Sequence, residues 1–494
     1  MIDCTRVMEL FKEISCIPRG SGNREPISEY FVSFAKRNGL PFLRDTLRNV
    51  LITKPAAQGM EQAPALILQA HMDMVCVQDA DVCHDFLKDP IDLYVDDTGW
   101  IRANGTSLGA DDGLAVALML AVLEDSGLRG PKLECLFTVD EETDMVGAKG
   151  FDTSVLTGRY VINLDEERDA YITVSSAGIA DVRIGFPLNR ITEPFSGNDS
   201  VSVMAVSVDG LRGGHSGIDI HLKRLNALKV LSALADLVRS RAGASFRLLK
   251  IEGGTHMNAI PKAGEMIFSF AASLEEDIFQ IVSDFFSDLT DSTGELEPDM
   301  IYFCRLLEDR ESATWPPTVF QADFTDQLLS FMRQCPSGVI SMSSAFSDLV
   351  ETSANFGRVV TADEMLWLWI SFRSSEDAAL DRYVQQFEEI GAKMGGRTEV
   401  PFREYGWPYQ PRSLLAPYAA AQYRKVFGKD PIIKGIHAGL ECGVFSRRIP
   451  GADIIAMGPN IEHPHTTGER AELASLEKIA ALLGRILENF DHLE

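Results

Sequence analysis

Near the N-terminus, apolar positions recur at helical spacing in two blocks, about 5–15 and 25–38, split by Pro18-Arg19-Gly20-Ser21-Gly22 and closed by Gly39. That period predicts two amphipathic helices joined by a turn. Further on the pattern changes to short continuous apolar runs: ALILQA (65–70), KLECLFTV (132–139), RYVINL (159–164) and ADIIAMG (452–458). Helical patterns alternate with these runs, from 112 to about 124 and again near 414–427. Apolar runs without polar alternation predict strands buried on both faces, and their alternation with helices predicts a mostly parallel α/β sheet covered on both sides.

The pattern shifts at about residue 186. Strand 201–210, a long helix 222–240, strands 245–252 and 264–272, helix 275–288 and strand 299–306 give the order βαββαβ, an α+β arrangement with helices on one face. A similar order recurs in helix 325–333, strands 350–360 and 364–372, helix 376–394 and strand 398–405, without sequence identity between the halves. The organisation expected is therefore an α/β domain in two pieces, 1–185 and 400–494, around an inserted α+β domain, 186–399.

The 494 residues carry 46 Lys and Arg against 72 Asp and Glu, a net charge of −26. A field of that sign repels nucleic-acid phosphates and anionic lipid, and favours small partners. The 8 cysteines show no CxxC pair or regular spacing, which predicts reduced thiols. The first residues lack a basic lead into an apolar block, and the longest apolar run, Leu114 to Leu123, is about half of the roughly 20 residues that span a bilayer. A cytoplasmic protein is expected.

HExxH, GxGxxG after a strand and GxxxxGK[ST] are all missing from the sequence, which removes the simplest metalloprotease and nucleotide readings. Instead, the apolar runs lead into metal-capable side chains. ALILQA precedes His71-Met72-Asp73; KLECLFTV precedes Asp140-Glu141-Glu142; RYVINL precedes Asp165-Glu166-Glu167; ADIIAMG precedes the loop with His463 and His465. A helix opens with Asp111-Asp112. Taken singly, these are ordinary strand-end polar residues and helix caps. Ligands of an open parallel sheet bind beyond the carboxyl ends of its strands, so the five segments point to one site. Histidine and carboxylate donors without cysteine suit zinc, manganese or cobalt. His71 and Asp73, two residues apart on a strand, share a face, so the Asp can orient the imidazole. Glu141 and Glu142 cannot both point the same way; one can bind metal while the other serves as general base.

His71-Met72-Asp73, Gly109-Ala110-Asp111-Asp112-Gly113, Asp140-Glu141-Glu142, Asn163-Leu164-Asp165 and His465 resemble the ordered motif set of the di-zinc amidohydrolases that include glutamate carboxypeptidase, aminoacylase and the dipeptidases. Gly210-Leu211-Arg212-Gly213-Gly214-His215-Ser216-Gly217, Met257-Asn258-Ala259-Ile260-Pro261 and Ile436-His437-Ala438-Gly439-Leu440-Glu441-Cys442-Gly443 are similar to the aminoacyl-histidine dipeptidase branch. The sequence departs from that branch at Asp112, where Asn is usual, and in His465-Thr466-Thr467-Gly468-Glu469, where Ser-Pro-Asp-Glu is typical; neither departure removes a proposed ligand.

The resemblance implies two divalent metal ions, zinc first, with cobalt or manganese as alternatives. His71 and Asp165 would hold one, Glu142 and His465 the other, and Asp111 would bridge both with a water. His465 is preferred to His463 because the family's ligand precedes a Ser or Thr. Asp73 would hold His71, Glu141 would be the general base, and Asp112 would cap its helix. The inserted domain would be a lid whose His215 stabilises the oxyanion, with Asn258 and Arg373 binding substrate. The activity implied is hydrolysis of unblocked dipeptides, Xaa-His among them, by a monomer or homodimer that binds neither nucleic acid nor membrane. An N-acyl-amino-acid amidohydrolase of the same fold is the alternative. A non-catalytic scaffold is disfavoured because Glu141 and all the proposed ligands are present.

Overall fold

The computed structural model describes residues 2–188, 190–191, 201–307, 318–362 and 364–493. It divides into two compact units, one formed by Met1–Ser176 with Trp407–Glu494 and the other by Ala177–Gly406. The joins expected at 185/186 and 399/400 lie inside strands Gly178–Pro187 and Arg397–Arg403, which pair with each other. Hydrogen-bonded neighbours belong to one sheet, so the divisions fall at 176/177 and 406/407.

The first unit is built on an eight-stranded sheet in the order Phe42–Arg44, Val50–Lys54, Leu133–Thr138, Leu66–His71, Tyr160–Asn163, Asp453–Ala456, Tyr171–Ser176, Ile432–Ile436. It is mixed. Leu133–Thr138, Leu66–His71, Tyr160–Asn163 and Asp453–Ala456 run parallel at its centre, and the strands Phe42–Arg44 and Val50–Lys54 add an antiparallel edge. Leu66–His71 and Leu133–Thr138 are buried at every position, the physical reason for their unbroken apolar runs. Helix Ala110–Glu124 is apolar all round and buried from Ala110 to Leu123. It packs between helix Cys4–Ser15 and strand Leu66–His71. Because the central strands are parallel, His71, Asp140 to Glu142 and Asp165 all leave the sheet at one edge.

The second unit holds a nine-stranded antiparallel sheet in the order Ile301–Leu306, Val201–Asp209, Gly264–Ala271, Arg247–Gly253, Val350–Thr361, Met365–Ser374, Gly178–Pro187, Arg397–Arg403, with Gly338–Met342 paired to Val350–Thr361. Alternate strand residues such as Val182, Ile184, Phe186, Met204, Val206, Phe268, Phe270, Leu368 and Ile370 share one core with Leu231, Phe286, Leu328 and Leu380. These last four lie on helices Ala227–Ala242, Glu275–Thr293, Ala322–Gln334 and Asp377–Lys393. A two-residue period on the strands puts all four helices on one sheet face.

The repeated βαββαβ order is present, with one addition. In the first half the strand that begins the order lies between the last and the third; in the second half Gly178–Pro187 occupies that place, between Arg397–Arg403 and Met365–Ser374. The opening strand of the second half thus precedes the whole first half in the chain. The halves join where Gly253 pairs with Val359. There Gly254 has φ +75° and a Cβ would lie 1.9 Å from the Gly357 carbonyl oxygen, so only glycine fits. Among the described residues no helix is long and apolar enough to cross a membrane.

Candidate metal centre

His71 is the last residue of its strand and is 1% exposed. Its Nε2 lies 3.2 Å from Asp111 Oδ1, while the other Asp111 oxygen lies 3.1 Å from His465 Nε2. His465 Nε2 is also 2.9 Å from Glu142 Oε2. Donor atoms of His71, Asp111 and Asp165 lie within 4.8 Å of one another, and so do those of Asp111, Glu142 and His465. The two triads share Asp111. A third grouping, His71, Glu141 and Glu142, brings Glu141 beside both. Each of the five ligands expected from the sequence is in these clusters; His463 is in none.

The electrostatics of the donor set fit divalent cations. Burial, then the charge of Asp111, pushes the Asp165 carboxyl well above the usual range. Burial does the same to Glu141, reinforced by Glu441, Glu142 and Asp111 against the opposing pull of His71. Hydrogen bonds that the His465 ring donates to Asp111 and Glu142 push its pKa up to about 11, and a metal between these groups would replace that proton. Glu142 Oε1 is buried without a hydrogen-bond partner. Crowded buried carboxylates repel one another, and cations held among them remove that cost.

Asp73 lies beside both His71 and the turn that follows strand Leu133–Thr138. Its Oδ1 is 3.5 Å from His71 Nδ1 and accepts the Glu141 N–H at 3.0 Å; its Oδ2 accepts Ser21 Oγ at 2.7 Å. One carboxylate thus sets both the imidazole and the turn that presents Glu141 and Glu142. Asp112 does not cap the helix. Its Oδ2 accepts the backbone N–H of His71 at 3.2 Å, and the N–H groups at the head of the helix bond to Glu469 instead.

Several further residues around the centre had no role assigned from the sequence. Arg19, in the first turn, is 3% exposed and donates to the Met72 and Asp73 carbonyls at 3.1 Å each and to the Gly109 carbonyl. Glu441, fully buried, accepts from Thr138 Oγ1 at 2.7 Å and from Gln69 Nε2. Gln69 Oε1 in turn accepts from Asn163 Nδ2 at 2.7 Å, and Asn163 Oδ1 accepts the Asp165 N–H at 3.2 Å. This polar chain runs under the strand ends. Burial, with Asp111 and Glu166 adding to it, pushes the Glu167 carboxyl up to about 7.

In the second unit, Gly214–His215 pairs with Ala259–Ile260, and the Ser216 N–H donates to the Asn258 carbonyl at 2.8 Å. His215 Nδ1 accepts the N–H groups of Gly217 at 3.2 Å and Ile218 at 3.1 Å. An Nδ1 that accepts leaves the proton of the neutral ring on Nε2, which is then a donor. Burial, with the positive charge of Arg373 adding to it, lowers the His215 pKa and favours that neutral form. Arg373 is 5% exposed and its Nε has no hydrogen-bond partner. His215, Asn258 and Arg373 therefore gather at one end of this unit.

A family model described as peptidase family M20/M25/M40 matches residues 67–489. The chain is 34% identical over 484 residues to the cytosol non-specific dipeptidase of Escherichia coli, covering 97% of this chain and 96% of that protein. Its structure is similar to that of aminoacylhistidine dipeptidase from Vibrio alginolyticus, with a TM-score of 0.89 and 30% identity over 98% of this chain and 96% of the other. A tripeptidase from Staphylococcus aureus shares the fold at a TM-score of 0.57 and 17% identity, over 99% of each chain. By a match of that extent and an identity sustained along nearly its whole length, the chain belongs to peptidase family M20/M25/M40.

Proposed function

We propose that this protein is a metal-dependent dipeptidase that hydrolyses unblocked dipeptides, Xaa-His among them. The observation that carries the reading is the pair of donor triads sharing Asp111, with Glu141 beside both. The similarity to a dipeptidase over nearly the full length supports the substrate size.

His71, Asp111 and Asp165 would hold one divalent cation, and Asp111, Glu142 and His465 the other. When bound, two cations sharing a carboxylate polarise the scissile carbonyl and acidify a water. Glu141, displaced upward in pKa by burial, takes the proton of the attacking water and returns it to the leaving amine. His215 donates Nε2–H to the oxyanion, which costs no reorganisation because Nδ1 is already fixed by two backbone donors. Arg373 pairs with the substrate carboxylate, where its fork geometry suits bidentate contact, and Asn258 lies beside His215 to hold the peptide. Glu167 would attract the free ammonium of an unblocked substrate.

The test is hydrolysis of Gly-His, β-Ala-His, Ala-Ala and N-acetyl-Ala, before and after chelation and with zinc, cobalt or manganese restored. Metal-dependent cleavage of the unblocked peptides, fastest for Xaa-His, is expected. Cleavage confined to N-acetyl-Ala would replace this reading with the acyl-amino-acid amidohydrolase one.

A further inference from the structure

We infer that Glu469 is a positioning residue for the metal centre, clamping the segment that delivers Asp111; this rests on the metallopeptidase reading above. Its carboxylate is 3% exposed. Oε2 accepts the N–H groups of Leu108 at 2.8 Å and Gly109 at 2.9 Å, and Oε1 those of Ala110 at 2.8 Å and Asp111 at 3.3 Å. Four consecutive backbone donors on the irregular turn that leads into the helix converge on one anion, which satisfies N–H groups that burial would otherwise leave unpaired.

The position of this carboxylate in the chain gives the contact its significance. Glu469 lies in the loop between Ile461–Glu462 and Arg470–Glu472, the same loop that carries His465. One short loop therefore supplies a donor directly, through His465, and fixes the backbone of the donor shared by both triads, through Glu469. The opposite side of the clamped segment is held by Arg19, which ties the Gly109 carbonyl to those of Met72 and Asp73. Arg19 and Glu469 attract each other across it. Gly109 has φ +66°, and a Cβ there would lie 2.5 Å from Arg19 Nη2 and 2.7 Å from Met74 Sδ, so the clamp closes only on glycine. The frame thus binds the His71, Asp111 and His465 segments together through backbone groups rather than through any donor atom of the triads.

A shift of the Asp111 backbone moves an oxygen of both triads at once, so loss of the clamp should weaken both sites in concert. Glu469→Gln is nearly isosteric but turns an amide –NH2 toward two backbone N–H donors. Metal binding to the chelated protein is measured by competition with a chromophoric chelator, using zinc alone, with circular dichroism and thermal melting as controls. Wild type is expected to take two zinc ions, and Glu469→Gln to stay folded with affinity at both sites weaker by about 10–100-fold, the range for outer-shell partners of metal ligands. At metal concentrations that refill it, kcat should return toward wild type with KM unchanged. Asp453→Asn is the matching control: Asp453 caps helix Leu415–Phe427, accepting the N–H groups of Leu414 at 2.6 Å and Leu415 at 2.9 Å, and should lose stability while keeping wild-type zinc affinity.

Wild-type affinity in a folded Glu469→Gln, or an equal loss in Asp453→Asn, would overturn the inference. If Glu469→Gln does not fold, Glu469→Asp replaces it, keeping the charge with a shorter reach; unchanged zinc affinity or failure to fold in that variant also overturns the inference. A wild-type chain that takes no zinc would sink the metallopeptidase reading, and the clamp with it, before any variant is compared.

Discussion

Replacing Glu441 by Gln should stabilise the chelated protein at alkaline pH, although Glu441 is fully buried and hydrogen-bonded. Burial pushes its carboxyl up to about 7 against the opposing pull of His71. Between the ordinary value of 4.5 and about 7, the unfolded chain is ionised at this residue while the folded one holds the proton. Stability therefore falls as pH rises through that window and the full cost remains above it. At about 1.4 kcal/mol per pH unit of displacement, the cost is about 3 kcal/mol at pH 8 and about 1 kcal/mol at pH 5. Gln keeps an oxygen for Thr138 and Gln69 and turns its amide nitrogen toward the side where Oε1 has no partner. Urea unfolding of wild type and Glu441→Gln after chelation, at pH 5, 6, 7 and 8, should give a stability gap in favour of the variant that grows across the series from about 1 to about 3 kcal/mol. Adding zinc should shrink the gap, because cations near His71 favour the ionised carboxyl. A gap independent of pH, or a variant less stable than wild type at pH 8, would refute the assignment of a charge-burial cost to this residue.

Other outcomes follow from the same geometry. Glu141→Gln should bind two zinc ions normally and lose about 10²–10⁴-fold in kcat, the range for general acid–base catalysis; substantial residual activity in a metal-loaded sample would remove Glu141 as the base. Asp73→Asn should weaken metal affinity by about 10–100-fold, since it loosens both His71 and the turn bearing Glu141 and Glu142; competition titration with a chelator checks it. His215→Ala should cost about 2.7–4 kcal/mol of transition-state stabilisation in kcat/KM. Its zinc content should stay at the wild-type value, and loss of metal would make His215 a structural residue.

Much of the site was legible because its chemistry sits at strand ends. Continuous apolar runs fix where a buried parallel strand stops, and His71, Glu142 and Asp165 follow those stops directly. The supporting frame was not legible. Arg19 in a Gly-rich turn and Glu469 in a polar loop look like solvated charges, since their partners are backbone groups far away in sequence. Asp112 looked like a cap for the opposite reason: local pattern favours it, and only the tertiary structure puts Glu469 over the helix head. In the second unit the strands of the first half could be read in order because they are consecutive. Gly178–Pro187 does not show as part of the second half, since its neighbours in the sheet, Met365–Ser374 and Arg397–Arg403, lie on the far side of the first half in the chain.

That displaced strand also bears on the order in which the molecule can form. During synthesis Gly178–Pro187 emerges long before either strand that flanks it, and must wait with both edges open while the first βαββαβ half closes on its own local contacts. Pairings so distant in sequence form late and slowly, and an apolar strand with free edges is a point of vulnerability to aggregation until they do. The first unit has the same dependence on the end of the chain, since Asp453–Ala456 sits inside its sheet and His465 lies beyond it. A nascent chain therefore carries His71, Asp111, Glu142 and Asp165 before His465, and the donor cluster is complete only once the C-terminal segment has been made.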